Sequence, residues 1–514
     1  MIRVLLMLLV GSAYGQDPLR VRLFWLTKVE QVKINGEVVK APLAAKKVFA
    51  APVRIERPGT PGYVVDAPVE VTAGNGRLLI TALMPVEPYV ASVLAGETNG
   101  VRSEEALKAM AVAIRTYAIR FRHAHRAEGF DLCDTSHCQD VHVRGKTLRH
   151  DAIAEATEGL LLWWKGEPAA TYYHAHNGGR SEGSPHGPYL AVKDDPYSMA
   201  RGNEQWRSAY TPQQVAQALG GKTPVSELVI GDRSASGRVK SVTVEGRRWT
   251  GTQFQMAMGR QWGWGIKSLL FDVHEAGGKW VFTGRGRGHG VGMSQIGAIR
   301  MGEQGKTMKE ILEFYYPGTK LGLTAQGLDW QARRGARLEM FSTEPEVDEA
   351  ALRVAEAALA EAERRAGMKL TGKGRLRVYP TVAAYRNATG EAGTVAASTR
   401  GATVRMQPMK VLEGRGVLES ILLHEMVHVV LEGNTRVEHP WWFREGLALE
   451  LAGDEPGSAE YRAARDRVRK LIAERGREGV LRLWREGGAS ATGEFQPRGD
   501  VDRKGERPTK AGGN

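Results

Sequence analysis

His424-Glu425-Met-Val-His428 places two imidazoles four residues apart with an acid beside the first. Residues i and i+4 of a helix share one face. Both rings can therefore bind one Zn²⁺, and Glu425 can polarise the bound water as general base. Trp441-Trp-Phe-Arg-Glu445-Gly-Leu-Ala follows on a second helical stretch and offers Glu445 as a third ligand. A second candidate centre lies far upstream, where Cys133 and Cys138, the chain's two cysteines, flank His137. Two cysteines in an oxidising compartment invite a disulfide, whereas an imidazole beside thiolates invites a metal. A third feature is a pair of cations, Lys108 and Arg115, on an alanine-rich stretch. Seven residues apart in a helix, they lie about 20° from one azimuth. They either aim at something anionic or snorkel to the surface.

The elements that must position these groups follow from the hydrophobic periodicity. Residues 19–85 alternate apolar and polar positions between Gly and Pro, which predicts short strands. From residue 86 the pattern becomes helical. The stretch 103–118 opens with Ser103 as N-cap and carries Glu104 and Glu105 in its first turn. Strands return around 159–175, 226–250 and 268–284, so the fold class is α+β. Residues 326–345 lose periodicity and read as a linker. Beyond them, 347–365 is an amphipathic helix, and further helices are expected at about 416–432, 441–452 and 458–486. The last residues, 489–514, are rich in Gly, Arg and Lys and read as a disordered basic tail. The expected organisation is one mixed domain over 16–325 and a mainly helical one over 346–488.

At 514 residues the chain exceeds a single core. Its 42% hydrophobic and 25% charged residues are ordinary globular composition. A net charge of +13 draws it toward polyanions, and nucleic acid, an anionic membrane face and a cell wall all fit that charge. The N-terminus narrows the choice. Met1-Ile2-Arg3, an apolar run from Val4 to Val10, and small residues to Gly15 form the three regions of a secretory signal. The apolar run is too short to span a bilayer. The expectation is cleavage after Gly15 and an exported protein; the alternative is a buried first strand of the mature fold.

Several separated blocks resemble one family. "LMPVEPYVASVLAGE" and "EALKAMAVAIRTYA", then "TSHCQDVHVRGKT", "YYHAHNGGRSE" and "GRGRGHGVGMSQIGA", occur in the order found in the SpoIID/LytB family. The resemblance covers about 19–325. It implies lytic transglycosylase cleavage of peptidoglycan glycan strands stripped of their peptides, or stimulation of an N-acetylmuramoyl-L-alanine amidase; nucleic acid is not an expected partner. It maps the catalytic acid onto Glu97 and the supporting cations onto Lys108 and Arg115. One acid suffices for this chemistry. It protonates the glycosidic oxygen, then as a carboxylate takes the proton of the muramyl 6-hydroxyl that attacks the anomeric carbon. Cations beside Glu97 would depress its pKa, so burial must offset them. His289, Ser294 and Gln295 in the glycine-rich block are expected to line the sugar site, a tight structural turn being the other reading. The resemblance also implies a zinc held by Cys133, His137 and Cys138, with His125 or His123 as fourth ligand. Asn177 stands where many relatives have cysteine, which leaves His174 and His176 available nearby.

The His-Glu-x-x-His stretch with its downstream Trp-x-x-Glu-Gly-Leu-Ala resembles the gluzincin, peptidase MA-like metallopeptidases. That resemblance implies zinc on His424, His428 and Glu445, with Glu425 as base. The combined expectation is an exported wall-remodelling enzyme carrying a zinc-peptidase-like domain. The alternatives are a non-catalytic enhancer, or a basic polyanion-binding module with a degenerate peptidase domain.

Overall fold

The computed structural model describes residues 18–487 apart from 99, 200–204, 436 and 438. The expected signal (1–15) and basic tail (489–514) lie outside the described residues. Mixed helices and sheets make the chain α+β. The described residues divide into two compact units, one of 18–329 together with 383–392, the other of 330–382 and 393–487.

In the first unit, strand Leu19–Leu23 runs antiparallel to Arg77–Met84 and parallel to the short strand Leu132–Cys133. Leu19, Val21, Ile80, Ala82 and Leu132 are buried along these strands. Pro85, with φ −56 and ψ 153, turns the chain out of Arg77–Met84 into a helix, Val86–Glu97, whose last residue is the candidate acid. Ser103 then accepts a hydrogen bond from the Ala106 N–H and starts the long helix Glu104–Arg120, most of which is buried. Small alanines let neighbours close in around it. A further helix, Gln295–Glu303, begins at the end of the glycine-rich stretch. Between them, residues 205–285 build two three-stranded sheets and two helices, Pro212–Ala218 and Gly251–Trp262, around their own aromatic core of Trp206, Tyr210, Phe254, Phe271 and Phe282.

The second unit departs from the mainly helical expectation. Its centre is a five-stranded sheet in the order Gln331–Arg334, Leu338–Ser342, Gly374–Val378, Thr403–Met406, Ala397–Arg400. The two inner pairings are parallel and the two outer ones antiparallel. The segment 326–345 is therefore no linker, since it supplies the first two strands. The strands were hard to read because Arg375, Arg377 and Arg405 break their apolar runs. The helices fall where the periodicity put them: Glu349–Ala366, Leu418–Gly433, Trp441–Ala452 and Ala459–Glu486, the last bent at Gly476. Leu422, Met426, Val429, Leu447 and Trp484 belong to one core with Leu376, Val404 and Met406.

Candidate functional sites

Glu97 closes its helix half-buried, and two donors grip its carboxyl. Gln295 Nε2 donates to Oε2 at 2.8 Å and the Asp140 backbone N–H to Oε1 at 3.4 Å. Burial pushes its pKa up, and the two hydrogen bonds only partly offset this. The carboxyl is thus biased toward the protonated form that an acid needs. Its partners come from far along the chain, Gln295 from the turn after the glycine-rich stretch and Asp140 from the segment after Cys138.

The expected cations are elsewhere. Arg115 is fully buried and forks onto Glu87, Nε to Oε1 at 2.8 Å and Nη2 to Oε2 at 2.5 Å. It also donates to Ala154 O and Thr157 Oγ1. Its anion is inside the protein, and its assignment as a substrate cation is corrected to a structural one. Lys108 is held by Glu104 and Glu105 of its own helix at 2.8 and 3.0 Å. The shared azimuth was sound, but the residues facing it differ from one turn to the next. Ser294 is likewise a structural group, buried and accepting from the Gly297 N–H as N-cap of Gln295–Glu303. His289 is exposed, but both ring nitrogens serve the backbone, one with Tyr173 O and one with the Val291 N–H. Of the three glycine-rich-block residues, Gln295 alone bonds Glu97. His174 braces the same stretch through Val291 O, whereas the His176 ring accepts from the Gly178 N–H of its own segment. Asn177 is buried and donates to Asp195 Oδ2 at 2.7 Å.

The strand pairing of Leu132–Cys133 against Leu19–Leu23 sets the Cys/His cluster. One donor atom each from His125, Cys133, His137 and Cys138 lies within 4.8 Å of the others. His125 Nε2 is 3.3 Å from Cys138 Sγ, and His137 Nδ1 is 3.8 and 3.7 Å from the two sulfurs. Zn–S and Zn–N bonds of ordinary length at tetrahedral angles separate ligand atoms by about 3.3 to 3.8 Å, so these donors fit zinc. His123 is outside the group and faces Asp131 at 2.9 Å. Glu128 Oε1 lies 2.6 Å from His125 Nδ1, which leaves Nε2 aimed at the sulfurs. Both cysteines are free. Their mutual contact holds the Cys133 thiol below its ordinary value and pushes Cys138 above it.

In the second unit, His424 Nε2 and His428 Nε2 are 3.2 Å apart, and Glu445 Oε2 is 3.8 and 3.6 Å from them. Gly446, next to Glu445, is what permits the approach of the last helix, since a Cβ there would lie 2.3 Å from Ala464 O. Asp454 Oδ2 takes His424 Nδ1 at 2.8 Å. Its position is fixed by Gly453, in the left-handed region at φ 75, and by Arg465 donating to Asp454 O. Burial opposes charge on His424, yet its bonds to Asp454 and Glu445 raise it to about 10, and the histidines hold Glu445 far below the usual carboxylate range. A donor set this negative suits a dication. Glu425 is buried, its pKa raised by that burial, and accepts from Thr399 Oγ1 at 2.6 Å on the edge strand Ala397–Arg400. The sequence reading missed Asp140, Asp454 and Thr399. An Asp just past a helix-ending glycine was the available signal for Asp454.

A helix-terminal carboxyl gripped from the end of a glycine-rich stretch, with a thiol/imidazole cluster built around strand Leu132–Cys133, is the arrangement of the first unit. The family described as Stage II sporulation protein (SpoIID) matches residues 74–164, which hold Glu97 and the Cys/His cluster. A domain of unknown function (DUF8618) matches 198–292. The N-terminal part of the chain therefore carries a SpoIID family domain. Stage II sporulation protein D of Bacillus subtilis strain 168 is 28% identical over 262 residues, covering 46% of this chain and 74% of that protein. Its counterpart in Bacillus amyloliquefaciens is 26% identical over 292 residues, 52% and 82% of the two chains. The amidase enhancer of Bacillus subtilis strain 168 is 27% identical over 287 residues, 45% of this chain and 39% of that one.

Proposed function

We propose that this is an exported peptidoglycan-remodelling enzyme whose first unit cleaves peptide-free glycan strands as a lytic transglycosylase. The observation that carries the reading is the Glu97 carboxyl, raised by burial and held by Gln295 and the Asp140 N–H. Protonated Glu97 serves as acid toward the glycosidic oxygen, and Gln295 keeps it oriented as its charge changes. Zinc on the Cys/His cluster has a structural role in this scheme, since four protein ligands leave no open position. The second unit acts as a zinc metallopeptidase on His424, His428 and Glu445. Zinc supplies a Lewis acid there; Glu425, steadied by Thr399, receives the proton of the attacking water, and Asp454 fixes the His424 ring.

One observation favours a second reading, in which the first unit enhances an amidase without cutting glycan: Arg115 is committed to Glu87 and Lys108 to Glu104 and Glu105, so neither expected cation is paired with the acid. Digestion of purified peptide-free glycan, with product mass spectrometry, decides between them. The transglycosylase yields 1,6-anhydromuramyl ends that vanish in Glu97→Gln. Ordinary reducing ends, or intact strands, overturn it.

A further inference from the structure

The segment after Cys138 brings a second ionisable pair to the acid, and the family assignment gives that pair no role. Asp140 and His142 lie on the stretch that delivers the Asp140 N–H to Glu97. The His142 N–H donates to Ser92 O, inside the same helix that ends in Glu97. Gly96 makes the approach possible. A Cβ there would sit 2.4 Å from Asp140 O and 3.3 Å from His142 Cγ, so any other residue would push the segment off the helix. His142 Nε2 is 3.2 Å from Asp140 Oδ1. Both side chains remain open, 55% and 39% exposed, beside a half-buried carboxyl.

An imidazole whose Nε2 faces a carboxylate keeps its proton there and presents Nδ1 as a lone pair. No hydrogen bond occupies His142 Nδ1 among the described residues. We propose that His142, oriented by Asp140, receives the proton of the attacking hydroxyl, so that Glu97 gives a proton and His142 takes one. This deepens the transglycosylase reading and rests on it. Glu97 donates its proton to the glycosidic oxygen as the bond from that oxygen to the anomeric carbon breaks, the electron pair leaving with the oxygen. The muramyl 6-hydroxyl oxygen forms the new bond to the same carbon, and its proton passes to His142 Nδ1. Asp140 Oδ1, against Nε2, holds the ring in place until solvent takes the proton from His142 and returns one to Glu97. Dividing the two proton transfers between two groups avoids asking one buried carboxyl to act as a strong acid and then a strong base.

The test uses the full chain on peptide-free glycan, with release of anhydromuramyl ends as the rate. His142→Ala should lower kcat about 100-fold, the usual size of a general-base contribution, with KM within about twofold. Added imidazole should restore at least about a tenth of the lost rate, a recovery that a merely structural histidine would not show. His142→Gln, polar but unable to accept a proton, should match the alanine variant without imidazole and guards against a folding artefact. Asp140→Asn should cost about tenfold through misorientation of the ring. Wild-type rates in His142→Gln, or a loss in His142→Ala that imidazole leaves untouched, overturn the proposal. If the wild type leaves strands intact, the transglycosylase reading itself has failed. If wild type and both His142 variants cleave alike while Glu97→Gln does not, only the present inference falls.

Discussion

The two candidate centres are assembled in opposite ways. In the second unit every ligand and helper but Thr399 and Arg465 lies between His424 and Asp454, on two consecutive helices and the turn that ends the second. In the first unit the acid takes one partner 43 residues away and another 198 residues away. A helical centre is written in local spacing, because the helix itself sets which side chains meet. A centre stitched across a sheet and loops depends on which segments pair, which no short motif states. The same contrast explains the cations. Lys108 and Arg115 obey helix geometry, yet one meets its own helix's acids and the other a buried Glu87, because their surroundings come from different parts of the chain.

The sharpest way to break this comparison is to remove each acid in turn. Glu97→Gln should abolish anhydromuramyl release, by at least about 1000-fold, since general-acid contributions run to that size. Glu425→Gln should abolish peptide cleavage in the same chain and leave glycan cleavage intact. Mass spectrometry of glycan and peptide products reads both. A loss of both activities in either variant would show one centre rather than two.

Metal content sharpens it further. Elemental analysis should give close to two zinc per chain. Cys133→Ser should lose one equivalent and His424→Ala the other, whereas Glu425→Gln keeps both. Asp454→Asn, which alters only the partner of His424, should weaken zinc at the second centre about 10- to 100-fold in competition with a chelator. Cysteines that resist labelling until reductant is added would replace the first zinc by a disulfide.

Arg115→Ala leaves Glu87 buried and unpaired, and should cost about 3–5 kcal/mol in denaturant unfolding. Replacing both partners, Arg115→Met with Glu87→Leu, should return most of that stability. Lys108→Ala, at a partly exposed ion pair, should cost less than about 1 kcal/mol. Near-equal costs would mean that the two cations share one role after all.

The smallest effect concerns pH. Burial raises the folded pKa of Glu97, so between the unfolded and folded values the native state binds more protons. Its contribution to stability falls as pH rises through that window and is fully lost above the folded value. Glu97→Gln should therefore melt slightly higher than wild type at pH 7, with the gap closing below about pH 4, where both states are protonated. A gap that widens in acid would contradict a raised Glu97.

The amino-acid sequence alone determined the α+β class, the helices 349–366, 418–433, 441–452 and 459–486 to within two residues, and the grouping of His424, His428 and Glu445. It did so because helix periodicity and i, i+4 spacing are local physics. It also named Glu97 and the Cys/His residues, through several motifs in order, but not what surrounds them. Only the tertiary structure decided that His125 rather than His123 joins the cysteines, that 331–342 is sheet rather than linker, and that Arg115 is a buried prop. It alone brought Gln295, Asp140 and His142 to Glu97. Strand pairing and the close approach allowed at Gly96 fixed those neighbours, and both are properties of distant segments meeting rather than of any stretch of sequence.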